Sequence, residues 1–249
     1  MTVTSLHKPK NVAASYEKKG LSVTASAGTP VIWVYGTIGS TEWAEGFSKD
    51  DFKAAMQTIP ATAKNIEIRI SSEGGCADTG MAVYSVLAAH RARKTVYVDG
   101  FACSAASLIA MAGDEVRMAD GGMFMIHNAI GYIPGFYGNA AELDEYAAYI
   151  PKAQKVLSDI SAGYARAYVA KTGKPLDKIQ QWMDDETWFT AQEAKEAGFC
   201  DVIDTRLKMV ACANVEKAGY KKAPQINASP KSMSATILQT LREIAHVRN

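Results

Sequence analysis

The chain has 249 residues, 48% of them hydrophobic and 21% charged, with a formal net charge of +1. That length suits one sizeable α/β domain with appendages, and the near-balanced charge argues against a dedicated nucleic-acid binder. No apolar run reaches the roughly 18–20 residues of a membrane span, and the polar N-terminus lacks the core of a signal peptide, so no membrane partner and a cytoplasmic location are expected.

Residues 1–29 are polar and rich in small side chains, which predicts a mobile N-terminal arm. Pro30–Gly36 carries β-branched and aromatic residues and reads as a buried strand. Asp50–Gln57 reads as a helix with Pro60 beyond its end, and Asn65–Ile70 alternates apolar and polar residues as a strand does. A helix is expected over Asp78–His90 and a strand over Thr95–Asp99 that breaks at Gly100. A small-residue helix follows Ser104, then strands over Glu115–Met118 and Met123–Ile126. The recurring strand–helix–strand order predicts a parallel sheet.

Asn139–Lys171 keeps a helical period through Leu143, Tyr146, Ile150, Leu157, Ile160 and Tyr164, with weak interruptions near Pro151 and Gly163. Such a length exceeds what one sheet layer needs, so part of it is expected to pack on another subunit. Short helices are expected over Pro175–Met183 and Ala191–Ala197, the second closed by Gly198. From Leu207 onward basic residues outnumber acidic ones and a linker-like Asn-Ala-Ser-Pro-Lys-Ser run appears. Residues 207–249 are therefore expected to be a solvated extension, with Ile237, Leu238, Leu241 and Ile244 on one face of a short terminal helix.

The chemistry gathers at three places. Gly100-Phe-Ala-Cys-Ser104 joins a strand to a helix, which lifts a serine hydroxyl out of the sheet beside the first helical N–H groups, as serine nucleophiles require. His127 closes a second strand and is the candidate base. Ile70-Ser-Ser-Glu-Gly74-Gly75 ends a strand in a double-glycine turn that can bring bare N–H groups to a ligand, although an ordinary strand-to-helix turn has the same pattern. The oxyanion hole would then combine the Gly75 turn with the N–H of Ala105. Ser107, one turn into the helix, is expected to bond back to a carbonyl. The cysteines Cys76, Cys103, Cys200 and Cys212 form no CxxC pair, so reduced structural thiols are expected and neither a metal nor a cofactor.

Taken in order, Ser-x-Glu-Gly-Gly, Gly-x-Ala-x-Ser and Met-Ile-His-Asn resemble the Clp protease proteolytic subunit family, as does Glu186-Thr-Trp-Phe-Thr-Ala-Gln-Glu-Ala near the domain's end. The resemblance covers roughly residues 31–206, within an expected peptidase domain of residues 30–206. It implies an α/β, crotonase-like ββα superhelix with a long handle helix, and a serine endopeptidase working on polypeptides through an acyl-enzyme. It also implies a homo-oligomeric ring or double ring. By position, Ser104 is the nucleophile, His127 the base, and Gly75 and Ala105 the oxyanion donors. The third member falls on Glu186, where the family has aspartate; Asp185 is the fallback, and the acidic cluster Asp184-Asp185-Glu186 leaves the choice open.

The segment before Pro30 does not resemble the family's unfoldase-docking loop, which leaves an ATP-dependent unfoldase partner uncertain. Together with the C-terminal extension, this suits the phage and prophage members, and implies capsid maturation with capsid proteins as partners. Two other functions compete: a crotonase-fold acyl-CoA hydratase or isomerase, disfavoured by the Ser104–His127 pair, and a catalytically silent structural ring subunit, supported by Glu186.

Overall fold

The computed structural model describes residues 16–25, 28–41, 44–133, 135–207, 209, 215 and 218–224. Within them a single nine-stranded sheet carries six helices. β1 (Tyr16–Lys18) and β2 (Leu21–Thr24) make an antiparallel hairpin, and β2 pairs antiparallel with β3 (Val31–Tyr35). The expected mobile arm therefore fails over 16–24. Lys19 and Gly20 both adopt positive φ, which turns the chain in two residues, and Leu21 and Val23 then reach the core. Residues 1–15 lie outside those described.

The parallel region expected from the sequence is formed by β3, β4 (Asn65–Ser72), β5 (Arg93–Cys103), β6 (Glu115–Ala119) and β9 (Val202–Asp204), in that spatial order. β7 (Met123–Ile126) runs parallel to β5, and β8 (Thr187–Thr190) runs antiparallel to β7. Gly100 does not end β5. The strand changes partner there: Thr95–Val98 pair with Glu115–Met118 of β6, and Phe101–Cys103 pair with Met123–Met125 of β7. On the other side the register with β4 shifts at the same place, from Ile70 opposite Val98 to Ser72 opposite Ala102, so the extra residues bulge out of β5. The effect is to run the end of β5 and β7 side by side.

Five helices follow the expected pattern: α1 (Lys49–Gln57), α2 (Ala77–Ala89), α3 (Ala105–Ala110), α5 (Leu176–Asp184) and α6 (Ala191–Ala197). α3 is buried along its whole length, which explains its small residues. A Cβ added at Gly80 of α2 would come within 2.8 Å of the Ala105 Cβ, so glycine allows α2 to press against α3. α4 (Ala140–Thr172) is continuous through Pro151 and Gly163. Asn139 and Glu142 form a capping box at its start and Gly173 closes it in the left-handed conformation. The carbonyl that Pro151 leaves without a helical donor belongs to Ala147, which is exposed and open to water. Only the last part of α4 is buried, at Tyr164, Ala165, Ala167 and Tyr168, whereas Leu143, Tyr149 and Val156 are about half exposed.

Residues expected to be a solvated extension fold back in part. Val215 is 3% exposed and packs with Phe101, Cys103 and Met125, with Trp188 and Tyr220 against the same cluster. The expected terminal helix around Ile237–Ile244 lies outside the described residues, as does Cys212.

Candidate active site

Ser104 stands between the end of β5 and the start of α3, with φ 54 and ψ −121. A positive φ is costly for a residue with a Cβ and persists where surrounding structure enforces it. Here the Ser104 N–H donates to the Met125 carbonyl at 3.0 Å, and the Ser104 carbonyl accepts from Ser107 N–H at 3.0 Å. The Ser107 hydroxyl also donates back to that carbonyl at 2.6 Å, as expected for a serine one turn into a helix, and lies 2.7 Å from the Tyr168 hydroxyl. These contacts hold the sharp turn that lifts the Ser104 side chain above the sheet.

His127 follows β7, and the parallel register Cys103↔Met125 brings it beside Ser104. Its Nε2 is 2.7 Å from Ser104 Oγ. Burial lowers the His127 pKa below the usual imidazole value, and the Glu186 charge works in the opposite direction. A neutral imidazole at neutral pH is what a general base needs.

Gly75 has φ 140 and sits in an isolated bridge with Ile38. In that bridge the Ile38 N–H donates to the Gly74 carbonyl, and the Cys76 N–H donates to the Ile38 carbonyl. The Gly75 N–H consequently faces away from Ile38. A side chain on Gly75 would collide with the Ile38 carbonyl oxygen, so the turn needs glycine. The Ala105 N–H is the first of α3 and has no preceding turn to donate to. Ser104, His127 and Gly75 border one cleft of about 440 Å³, whose walls include Cys76, Ile130, Tyr132 and Tyr164.

The acidic residues separate clearly. Asp184 accepts from Asn128 at 2.6 Å. Asp185 caps α5, is exposed, and pairs with Lys222 Nζ at 3.6 Å. Glu186 takes a positive φ of 47 in the turn into β8, and among the described residues it is the charged side chain that acts on His127. Its carboxylate is nevertheless bonded elsewhere. Oε2 accepts from the Lys221 N–H at 3.0 Å, and Oε1 from the Lys222 N–H at 2.6 Å and the Trp188 indole at 3.4 Å. No acid in the described residues hydrogen-bonds His127.

A family model described as Clp protease matches residues 50–206. The chain belongs to the Clp protease family. A solved structure of a ClpP1 point mutant from Listeria monocytogenes is similar in fold, with a TM-score of 0.54 and 20% identity, covering 68% of this chain and 88% of that one. The mixed sheet with its long α4 is thus a Clp protease fold. No helix among the described residues is long and apolar enough to cross a membrane.

Within this Clp protease frame, sequence reasoning missed Tyr220. Its ring meets His127 edge-on at 5.3 Å between centroids and Trp188 at 5.7 Å, and its hydroxyl donates to the Glu73 carbonyl. A lone aromatic residue in a basic tail, in Ala218-Gly219-Tyr220, was the available signal. Glu73 is also more integral than its loop position suggests: it is buried and accepts from the Thr37 hydroxyl. Cys103 is buried and its thiol pKa is raised by burial, in keeping with a core role rather than a second nucleophile.

Proposed function

We propose that this chain is a serine endopeptidase. The observation that carries the reading is the 2.7 Å contact between His127 Nε2 and the hydroxyl of a serine held at positive φ. Ser104 Oγ attacks the substrate carbonyl while His127 Nε2 takes its proton. The N–H groups of Gly75 and Ala105 receive the developing oxyanion. The imidazolium then returns the proton to the leaving amine. Water, deprotonated by the same nitrogen, cleaves the acyl-enzyme ester and restores Ser104.

Glu186 is the acid assigned to orient His127 and stabilise the imidazolium, with Asp185 as the fallback. The electrostatic influence of Glu186 on His127 supports that order, as does the exposure of Asp185. Polypeptides enter as extended strands along the Gly74-Gly75 edge, and the subunits assemble through α4 into a homo-oligomeric ring or double ring. Capsid proteins are the substrate class suggested by the resemblance to phage and prophage members, and digestion of a purified capsid precursor tests it.

A fluorophosphonate probe tests the chemistry directly. It should label the wild type at Ser104 and leave Ser104→Ala unlabelled. Equal labelling of both proteins would remove Ser104 as the nucleophile.

A further inference from the structure

We propose that residues 218–224 are an inhibitory strap, which docks in the active-site cleft and occupies the carboxylate that would otherwise orient His127. The proposal rests on the serine peptidase reading and concerns regulation of that same site.

Five contacts define the docking, beside the residues that line the cleft. Ala218 and Tyr220 line the cleft that contains Ser104 and His127. The Tyr220 ring covers one edge of the imidazole, and its hydroxyl reaches the Glu73 carbonyl on the loop leading to Gly75. The Lys221 and Lys222 N–H groups engage the two oxygens of Glu186. The Lys222 ammonium adds a pairing with Asp185. Just before the strap, Val215 anchors the chain in the cluster of Phe101, Cys103 and Met125.

The consequence follows from donor and acceptor counting. A carboxylate that accepts a backbone bond on each oxygen has both oxygens directed at those donors. The imidazole is left without the acceptor that selects its tautomer and stabilises its protonated form, and that acceptor matters by orders of magnitude in serine peptidases. The same residues narrow the space a substrate carbonyl needs beside Ser104. Undocking therefore restores both the acid and the cleft in one step. The strap binds through backbone N–H groups and one aromatic ring, so an extended substrate peptide can compete for the same places.

The test uses the full chain and two readouts. Hydrogen exchange should show the 218–224 amides protected in the wild type. Tyr220→Ala, and separately the double variant Lys221→Pro with Lys222→Pro, should remove that protection and raise the rate of fluorophosphonate labelling at Ser104 at least about tenfold. The proline pair deletes the two N–H donors while leaving every active-site side chain in place. Protected amides with labelling unchanged or slowed in both variants would overturn the inhibition. Rapid exchange in a wild type that labels well would overturn the strap and leave the peptidase reading standing. Protected amides with no labelling of any form would sink the peptidase reading, and the inhibition with it.

Discussion

Ser104 Oγ and His127 Nε2 stand 2.7 Å apart because β5 and β7 run side by side in register at Cys103 and Met125. Ser104 and His127 thus leave adjacent strands at the same height, one into a helix and the other into the loop bordering the cleft.

His127→Ala should abolish peptidase turnover while leaving the fold intact, because the imidazole is needed for proton transfer alone. Loss of either member of a nucleophile–base unit costs about 10³-fold or more. Turnover of a short fluorogenic peptide within tenfold of the wild type would remove His127 from the mechanism.

The acid limb of the rate profile should lie low. Burial disfavours the imidazolium of His127, so the neutral base persists to a lower pH than an ordinary histidine near 6.5. Activity should be full above that lowered pKa and be lost as pH falls through it. The negative charge of Glu186 raises the pKa, so Glu186→Gln should move the limb further toward acid. A limb above about 6.5 in kcat/KM would contradict this account.

The acid itself is best tested with the strap released. In the Tyr220→Ala background, Glu186→Gln should lower kcat by orders of magnitude with little change in KM, and Glu186→Asp should keep part of the rate. Asp185→Asn should have a much smaller effect, since its exposed carboxylate pairs with Lys222 and does not touch His127. The opposite ranking would assign the acid to Asp185.

Gly75→Ala should cost about 1–3 kcal/mol in stability, as expected for a side chain forced into a sparsely populated backbone region. The added methyl group also meets the Ile38 carbonyl. Urea denaturation measures the stability loss, and labelling of Ser104 should fall with it because the turn presents an oxyanion donor. A variant of wild-type stability and reactivity would show that the turn tolerates a side chain.

The exposed half of α4 should carry an assembly contact. Tyr149 and Val156 are seven residues apart, hence on one helix face, and each is about half exposed. Tyr149→Asp with Val156→Asp should give smaller particles by light scattering. An unchanged mass would place the contact elsewhere.

Most elements were legible in the sequence because their signals are local. The Met123–Ile126 strand and the Ala191–Ala197 helix have the expected bounds, since a short continuous apolar run and a closing glycine act within a few positions. The Ser104–His127 pairing was legible because each residue terminates a strand, and strand ends gather at one edge of a sheet. The extent of β5 was not legible. Gly100 looks like a stop when read alone, and only the exchange of β6 for β7 as partner carries the strand onward to Cys103.

The amino-acid sequence alone determined where Ser104, His127 and the Gly74-Gly75 turn fall relative to the strands, because strand-to-helix junctions and bare backbone N–H groups depend on neighbours in sequence. Tertiary structure decided two things at longer range. It drew residues 16–24 into the sheet, since a hairpin needs β3 as its partner. It also gave Glu186 to Lys221 and Lys222, which are 35 and 36 residues away. No periodicity marks an amide as the partner of a distant carboxylate. That pairing arises where burial of Val215 and Ala218 brings the tail across the cleft.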